Sequence, residues 1–286
     1  MSETLVPLSS RDKLLALEQA GFKRTRLARL AGVEYMTIYR WFTGASEPRA
    51  RLGGRIDSLY REHIDLQPLV ESLQRPDLLE KLRQRSALRE HFFLEATYHS
   101  LALAGAKLTW ADTREALAGV LPAGALSPGA TAALNHREAL AWMVEQAVRE
   151  SALGEAHLLE MHATAMRGER EAAPGRLRGA ADGLRGWLEA CGRPDSHPAG
   201  RAVRLHHAFL RLRPFHRGNG RVGRLLLQAQ LLACGLPPAL IRVDNQREYE
   251  WGLNQADQGD FRYLERVVNE GILRGRRLLS EGERSA

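Results

Sequence analysis

The stretch RLRPFHRGNGRVGRLL, from Arg211 to Leu226, concentrates residues able to hold phosphate. A Gly218-Asn219-Gly220 turn just ahead of a helix aims several backbone N–H groups into one concavity, and the helix dipole adds favourable potential for an anion. Arg221 and Arg224, three apart on the first turn of that helix, can both reach such an anion, and a guanidinium grips phosphate through two donors. Arg213 and Arg217 stand in the loop leading in, and no acid does. Four arginines around one concavity are costly to leave unpaired, so an anion is expected among them. The competing account is a Gly-rich helix start whose arginines pair with acids elsewhere, and the loop alone leaves both open.

The elements that must position this loop read as helices. Ala/Leu/Arg/Glu-rich segments with apolar residues three and four apart run through most of the 286 residues, among them Arg137 to Glu150, Leu205 to Leu212 and Arg221 to Leu232. Alternating runs rich in Val, Ile and Thr are missing, so the expected fold class is all-α. Hydrophobic residues at 44% and charged ones at 26% describe an ordinary globular chain. No apolar run approaches the roughly 20 residues that a membrane span needs, and MSETLVPLSSRDK lacks a signal peptide's basic end and apolar centre; the expectation is a cytoplasmic protein without a membrane partner. Cys191 and Cys234 stand apart, without metal-ligand spacing, and no metal site is expected from them.

The formal charge of +7 is unevenly placed. Between Gly21 and Arg55, eight basic residues face only Glu34 and Glu47, a net of +6, which suits a polyanion-binding module. Within it, Leu27, Ala28 and Leu30 supply the apolar side of one short helix, Ala31-Gly32-Val33 makes a turn, and Ile38, Trp41 and Phe42 supply the apolar side of a second. That leaves Tyr35, Met36, Thr37, Tyr39 and Arg40 facing outward where base edges would be read, with Arg24, Thr25 and Arg26 placed to meet phosphates. The stretch resembles the helix-turn-helix domains of phage-repressor type, with their LAxxxGVxxxTIYxWxxGxxxP shape ending here at Pro48. The resemblance implies double-stranded DNA as a partner and, through two-fold operators, a homodimer. A helical hairpin with a basic solvated face is the alternative.

RPFHRGNGRVGR in turn resembles the Fic signature, HPFx(D/E)GNGRxxR. The neighbourhood agrees from Phe92 to Gly271: TYHSLALAGAKLTWADTREAL with Ser100 and Gly105, NHREAL at Asn135, LLEMH ending at His162, PGRLR at Pro174, and YEWGLNQADQGD ending at Asp260. The resemblance implies the family's helical fold and its chemistry, transfer of AMP or another phosphate-bearing group to a protein hydroxyl. Carried over residue by residue, the anion-binding positions stand as Gly218, Asn219, Gly220, Arg221 and Arg224. Arg213 takes the place of the catalytic His, and a guanidinium cannot act as a base at neutral pH. Arg217 takes the place of the Mg²⁺-holding acid, and a cation there repels the metal. Ala104 stands where regulated relatives carry an inhibitory Glu, and GRLRGAADGLRGWLEA leads from Gly175 almost directly into a helix, without room for the family's β-hairpin flap. His216 is expected to face away from the target, and His162, His206 and His207 to be satisfied within the helical packing.

The resulting expectations are a helix-turn-helix domain over 1–65, a linker helix over 66–90 and a Fic-like helical domain over 91–286. The leading functional reading is a DNA-binding transcriptional regulator, a homodimer, with no catalytic residue. Its Fic-like domain binds a nucleotide or other phosphate-bearing ligand without Mg²⁺, through Arg213, Arg217, Gly218, Asn219, Gly220, Arg221 and Arg224. The competing reading is a divergent Fic nucleotidyltransferase, or toxin, autoregulated through its own DNA-binding domain.

Overall fold

The computed structural model describes residues 9–120, 126–149, 154–179, 183–193 and 195–284, the side chains at 146–149 and 281–284 excepted. The chain divides into two compact units, Met1–Leu66 and Gln67–Ala286. Every regular element among the described residues is helical.

The first unit holds α1 (Ser10–Gln19), α2 (Arg24–Ala31), α3 (Tyr35–Thr43) and α4 (Ala50–His63). Ser9 and Asp12 start α1 with a reciprocal capping box, satisfying two N–H groups that the first turn leaves over. Helix α2 ends at Gly32, whose left-handed φ of 70° lets Val33 N–H reach back to the Ala28 carbonyl. A side chain at Gly32 would also collide with the Arg55 guanidinium, which caps the end of α2 by donating to the Ala31 carbonyl at 3.0 Å. Leu14, Leu17, Leu27, Ala28, Ala31, Ile38, Trp41, Phe42, Ile56 and Tyr60 form the core. Ala31 takes the inward place expected for Leu30, which is 39% exposed, because α2 begins at Arg24 and its inward stripe runs through 27, 28 and 31.

The second unit begins with α5 (Gln67–Glu71), α6 (Leu78–Gln84), α7 (Ser86–Leu103), α8 (Trp110–Leu117) and α9 (Pro128–Arg149). It continues with α10 (Glu155–Ala165), α11 (Leu184–Gly192), α12 (Pro198–Leu212), α13 (Asn219–Ala233), α14 (Gln246–Asp257) and α15 (Arg262–Arg284). Residues 66–90 are therefore no free-standing linker helix. They form α5, α6 and the start of α7, and Leu78, Leu82 and Leu88 are buried in the same core as Phe92, Phe209 and Leu226. Three leucines withdrawn from water at about 2 kcal/mol each hold this segment in the unit.

Helix α13 runs through the middle, packed against α12, α9, α10, α6 and α7, with Val222, Leu225, Leu226, Leu227, Leu231 and Leu232 all buried. Its apolar surface goes nearly all round, as suits a helix enclosed by others. The consequence for function is positional: the amino end of α13, where the signature loop enters, is anchored by the best-packed helix of the unit.

Candidate phosphate-binding site

Helix α12 ends at Arg213, whose φ of 45° is left-handed, and the chain then turns through Pro214–Arg217 into Gly218. Gly218 has φ of 79°, and a Cβ there would lie 2.5 Å from Met166 Sδ, so only glycine fits. Asn219 closes the loop on itself: Phe215 N–H donates to Asn219 Oδ1 at 3.0 Å, and Asn219 Nδ2 donates to the Phe215 carbonyl at 2.8 Å. The Asn219 side chain thus braces the loop.

His162 pins this loop from below. Its ring lies parallel to Phe215 with centroids 3.7 Å apart. Gly175 N–H donates to its Nδ1 at 3.0 Å, so Nε2 carries the proton and donates to the Arg217 carbonyl at 3.1 Å. Burial lowers its pKa and keeps it in that neutral form. Arg178 N–H donates to the Pro214 carbonyl at 2.7 Å, a second tie to the segment after Gly175. No strand occurs among the described residues between Gly175 and Leu184; the expectation of a missing flap falls partly on 180–182, outside them.

Beside the loop opens a cleft of about 460 Å³ lined by Leu210, Arg211, Arg213, Asn219, Gly220 and Asp257. The first N–H groups of α13 have no partner within the helix, and they carry the positive end of its dipole. Arg213 is exposed. On the far wall Asp257 accepts from His207 Nε2 at 2.9 Å and from Arg211 at 2.8 Å. These bonds, the His207 one foremost, hold the Asp257 carboxyl below the usual range and hence ionised. His216 is exposed.

The expected cage of unpaired arginines is not formed. Arg221 makes a two-pronged bond to Glu169, at 2.6 and 2.8 Å, and Arg217 pairs with Glu171. The acids come from the turn after α10, 46 to 52 residues upstream, which is why the loop's own sequence shows none. Arg224 is buried, 7% exposed, where its Nε donates to the Ser100 hydroxyl at 3.0 Å and its Nη2 to the Ser100 carbonyl at 2.7 Å. Ser100 lies on α7 one turn before Ala104, so this end of α7 holds the last arginine of the loop through a neutral pair. Tyr249 also bonds Arg224, and burial lowers the guanidinium's pKa. His206 completes this network: its Nδ1 donates to the Gly223 carbonyl at 2.9 Å, and Nε2 accepts from the Tyr249 hydroxyl at 2.7 Å. Arg217, where the resemblance to the Fic signature would place the Mg²⁺-holding acid, offers no carboxylate and is itself paired with Glu171. No group of three or more His, Cys, Asp or Glu capable of holding a metal occurs among the described residues.

In the first unit the outward face of α3 carries Tyr35, Met36 and Tyr39, exposed by 46, 60 and 40%. Thr25, Arg26 and Arg40 are exposed and Thr37 is half-buried. Arg24 is engaged within the unit. Its Nε donates to Glu18 at 2.7 Å and its guanidinium lies 4.5 Å over the Phe42 ring, so it closes α1 onto α2 and α3.

The helical second unit, with a glycine-opened loop feeding a buried central helix, is similar to the Fic/DOC family: the family model matches residues 152–231, a span that runs from α10 through α11, α12 and the loop into most of α13. The relatives are enzymes by name. A protein adenylyltransferase Fic of Nematostella vectensis is 29% identical over 214 residues, covering 65% of this chain and 48% of the relative. The protein adenylyltransferase fic-1 of Caenorhabditis elegans is 27% identical over 269 residues, covering 82% and 50%. The chain spans about half the length of these relatives. Among solved structures, Fic-1 (residues 134–508) from C. elegans superposes with a TM-score of 0.67 at 21% identity, covering 95% of this chain and 90% of that one. A Fic domain-containing signaling protein from Bacteroides thetaiotaomicron gives 0.62 at 21% identity, covering 77% and 96%. At such identity these structures speak for the fold alone.

Proposed function

We propose that the second unit is a divergent nucleotidyltransferase-type Fic unit. It binds a nucleoside triphosphate with the phosphates against the amino end of α13, and the first unit ties that site to gene control by binding duplex DNA. The observation that carries the first part is where the family match falls: residues 152–231 supply every lining residue of the cleft except Asp257. Supporting it, the N–H groups opening α13 and the exposed Arg213 share one cleft, and relatives over most of the chain are named protein adenylyltransferases. Arg224 lies just beneath Gly220, its Nη1 only 3.3 Å from where a Cβ would stand, so it adds positive potential under the bound phosphates. The basic, aromatic outer face of α3 supports the DNA part.

The test is calorimetric titration of the full chain with ATP, followed by incubation with α-labelled ATP, Mg²⁺ or Mn²⁺, and lysate as acceptor. Micromolar binding and a labelled protein band are the expected results. No binding removes the whole reading, and binding without label removes the transfer.

One observation favours a second reading, binding without transfer. Arg213 stands where the family's base stands, and a guanidinium stays protonated at any pH the protein survives. In that reading the unit is catalytically silent and serves a homodimeric, DNA-binding regulator as a phosphate-ligand sensor. Binding without label is its signature.

A further inference from the structure

Helix α3 divides its residues between core and solvent. Ile38, Trp41 and Phe42 share its inward side and are buried. At about 100° per residue, the other side carries Met36 and Thr43 along its middle, Tyr35 and Tyr39 on one flank and Arg40 on the other. Met36 is 60% exposed, and the rings of Tyr35 and Tyr39 stand beside each other with centroids 6.3 Å apart. Single exposed apolar side chains are ordinary, but three adjoining ones form a patch that asks for a partner. A second copy of the chain does not suit it, because an isologous contact there would press together two segments of net charge +6.

The patch lies on the face that the DNA reading of the first unit, on which this inference rests, turns toward bases. From Tyr35 to Thr43 there is no Asn or Gln, the amides that pair with adenine's edge, no Asp or Glu to accept from cytosine, and one guanidinium, Arg40, able to grip guanine or a phosphate. Exposed arginines able to hold phosphates stand on the neighbouring helices, Arg26 and Arg29 on α2 and Arg49 and Arg51 at the start of α4. The apolar group that a base edge offers in the major groove is the C5 methyl of thymine. We propose that α3 reads thymine methyls, with Met36 and the two tyrosine rings burying them. The partner is then duplex DNA with A·T pairs under this helix, and its sequence preference comes chiefly from methyl burial. Met36 suits that work because an unbranched thioether adapts to the position of a methyl. This readout concerns the first unit alone and stands apart from whatever the cleft of the second unit binds or transfers.

The test uses the full chain and a duplex recovered from a genome-fragment selection, prepared once with thymine and once with deoxyuracil, which keeps every hydrogen-bonding group and removes only the methyl. Fluorescence anisotropy at fixed salt should show the deoxyuracil duplex bound more weakly, by about four-fold for each methyl buried. The slope of affinity against salt should be the same for both, because the phosphates are unchanged. In Met36→Ala, at an exposed position where Ala favours the helix, the ratio between the two duplexes should fall toward one. Equal affinity for the two duplexes, with salt-dependent binding intact, overturns the methyl readout and leaves DNA as the partner. So does a selected motif without thymine, or a deoxyuracil effect that persists unchanged in Met36→Ala, Tyr35→Ala and Tyr39→Ala. No salt-dependent binding to any duplex removes the DNA reading itself and the readout with it. Self-association in sedimentation without DNA, abolished by Met36→Ala, would assign the patch to a protein contact and overturn the readout as well.

Discussion

At residue 213 the chain carries a permanent cation at a backbone position that few side chains accept. Its φ of 45° is left-handed, a region that His tolerates better than most residues. Arg213→His combined with Arg217→Glu should therefore keep the loop's shape while restoring a proton acceptor and removing a cation from its mouth. On the proposed nucleotidyltransferase reading, label transfer from α-labelled ATP should rise by about 100-fold or more over the wild type. A double variant that binds ATP and transfers no more than the wild type would mean that the site has lost more than its base. The buried histidines make a second prediction at this scale. His136 and His206 have pKa values lowered by burial to about 3 and about 4, against about 6.5 in an unfolded chain. The unfolded state thus binds more protons across that window, and stability present above pH 6.5 is lost as pH falls toward 4. Denaturant midpoints should drop with acid by about 1 kcal/mol per pH unit for each ring. A folded His206→Phe should show the shallower slope; an unchanged slope would mean that this ring does not titrate against folding.

The signature loop works as an element because three separate ties fix it: Asn219 to Phe215, His162 to Arg217, and Arg178 to Pro214. Gly218 makes the turn possible on two counts, its positive φ and the Met166 sulfur beside it. Gly218→Ala should cost about 1–3 kcal/mol and weaken ATP binding together. Gly259 is the matched control, since it too has a positive φ, 91°, but nothing within reach of a new Cβ. Gly259→Ala should cost about 1–2 kcal/mol and leave ATP affinity alone. Equal effects on binding from both variants would show that the loop's geometry is not what holds the nucleotide. What the sequence made legible follows the same divide. The helical class and the loop between α12 and α13 could be read from periodicity and glycine spacing, because both are local. The pairing of Arg221 with Glu169, and of Arg224 with Ser100 across 124 residues, could not, because nothing local to RGNGRVGR names its partners. The segment 66–90 reads as a linker for a related reason: the core its leucines join is built from helices far along the chain, α9 and α13 among them.

At the scale of the whole molecule the charge is the guide to partners. Residues 21–55 of the first unit carry a net charge of +6 against +7 for the whole chain, and the outward residues on α3 are of the kind that read DNA, two tyrosines and Met36 beside Arg40. An arginine on phosphate and an arginine in a structural pair have different experimental signatures, and positions 24 and 40 separate them. Arg40 is exposed, so on the proposed DNA reading Arg40→Ala should lower DNA affinity and reduce the slope of log affinity against log salt by about 0.9 for each phosphate its guanidinium neutralises. Arg24 is engaged with Glu18 and Phe42, so Arg24→Ala should act chiefly on stability, with the salt slope unchanged. On the proposed DNA reading, Tyr39→Ala should lower affinity for a selected sequence more than for random duplex, because base contacts carry sequence preference and phosphate contacts do not. Fluorescence anisotropy on the full chain over a series of salt concentrations measures all three, using duplexes recovered from a genome-fragment selection. A wild-type affinity with no salt dependence would remove DNA as the partner and leave α3 as an ordinary exposed face. The reverse pattern, with Arg24 setting the slope and Arg40 silent, would shift the DNA toward the start of α2.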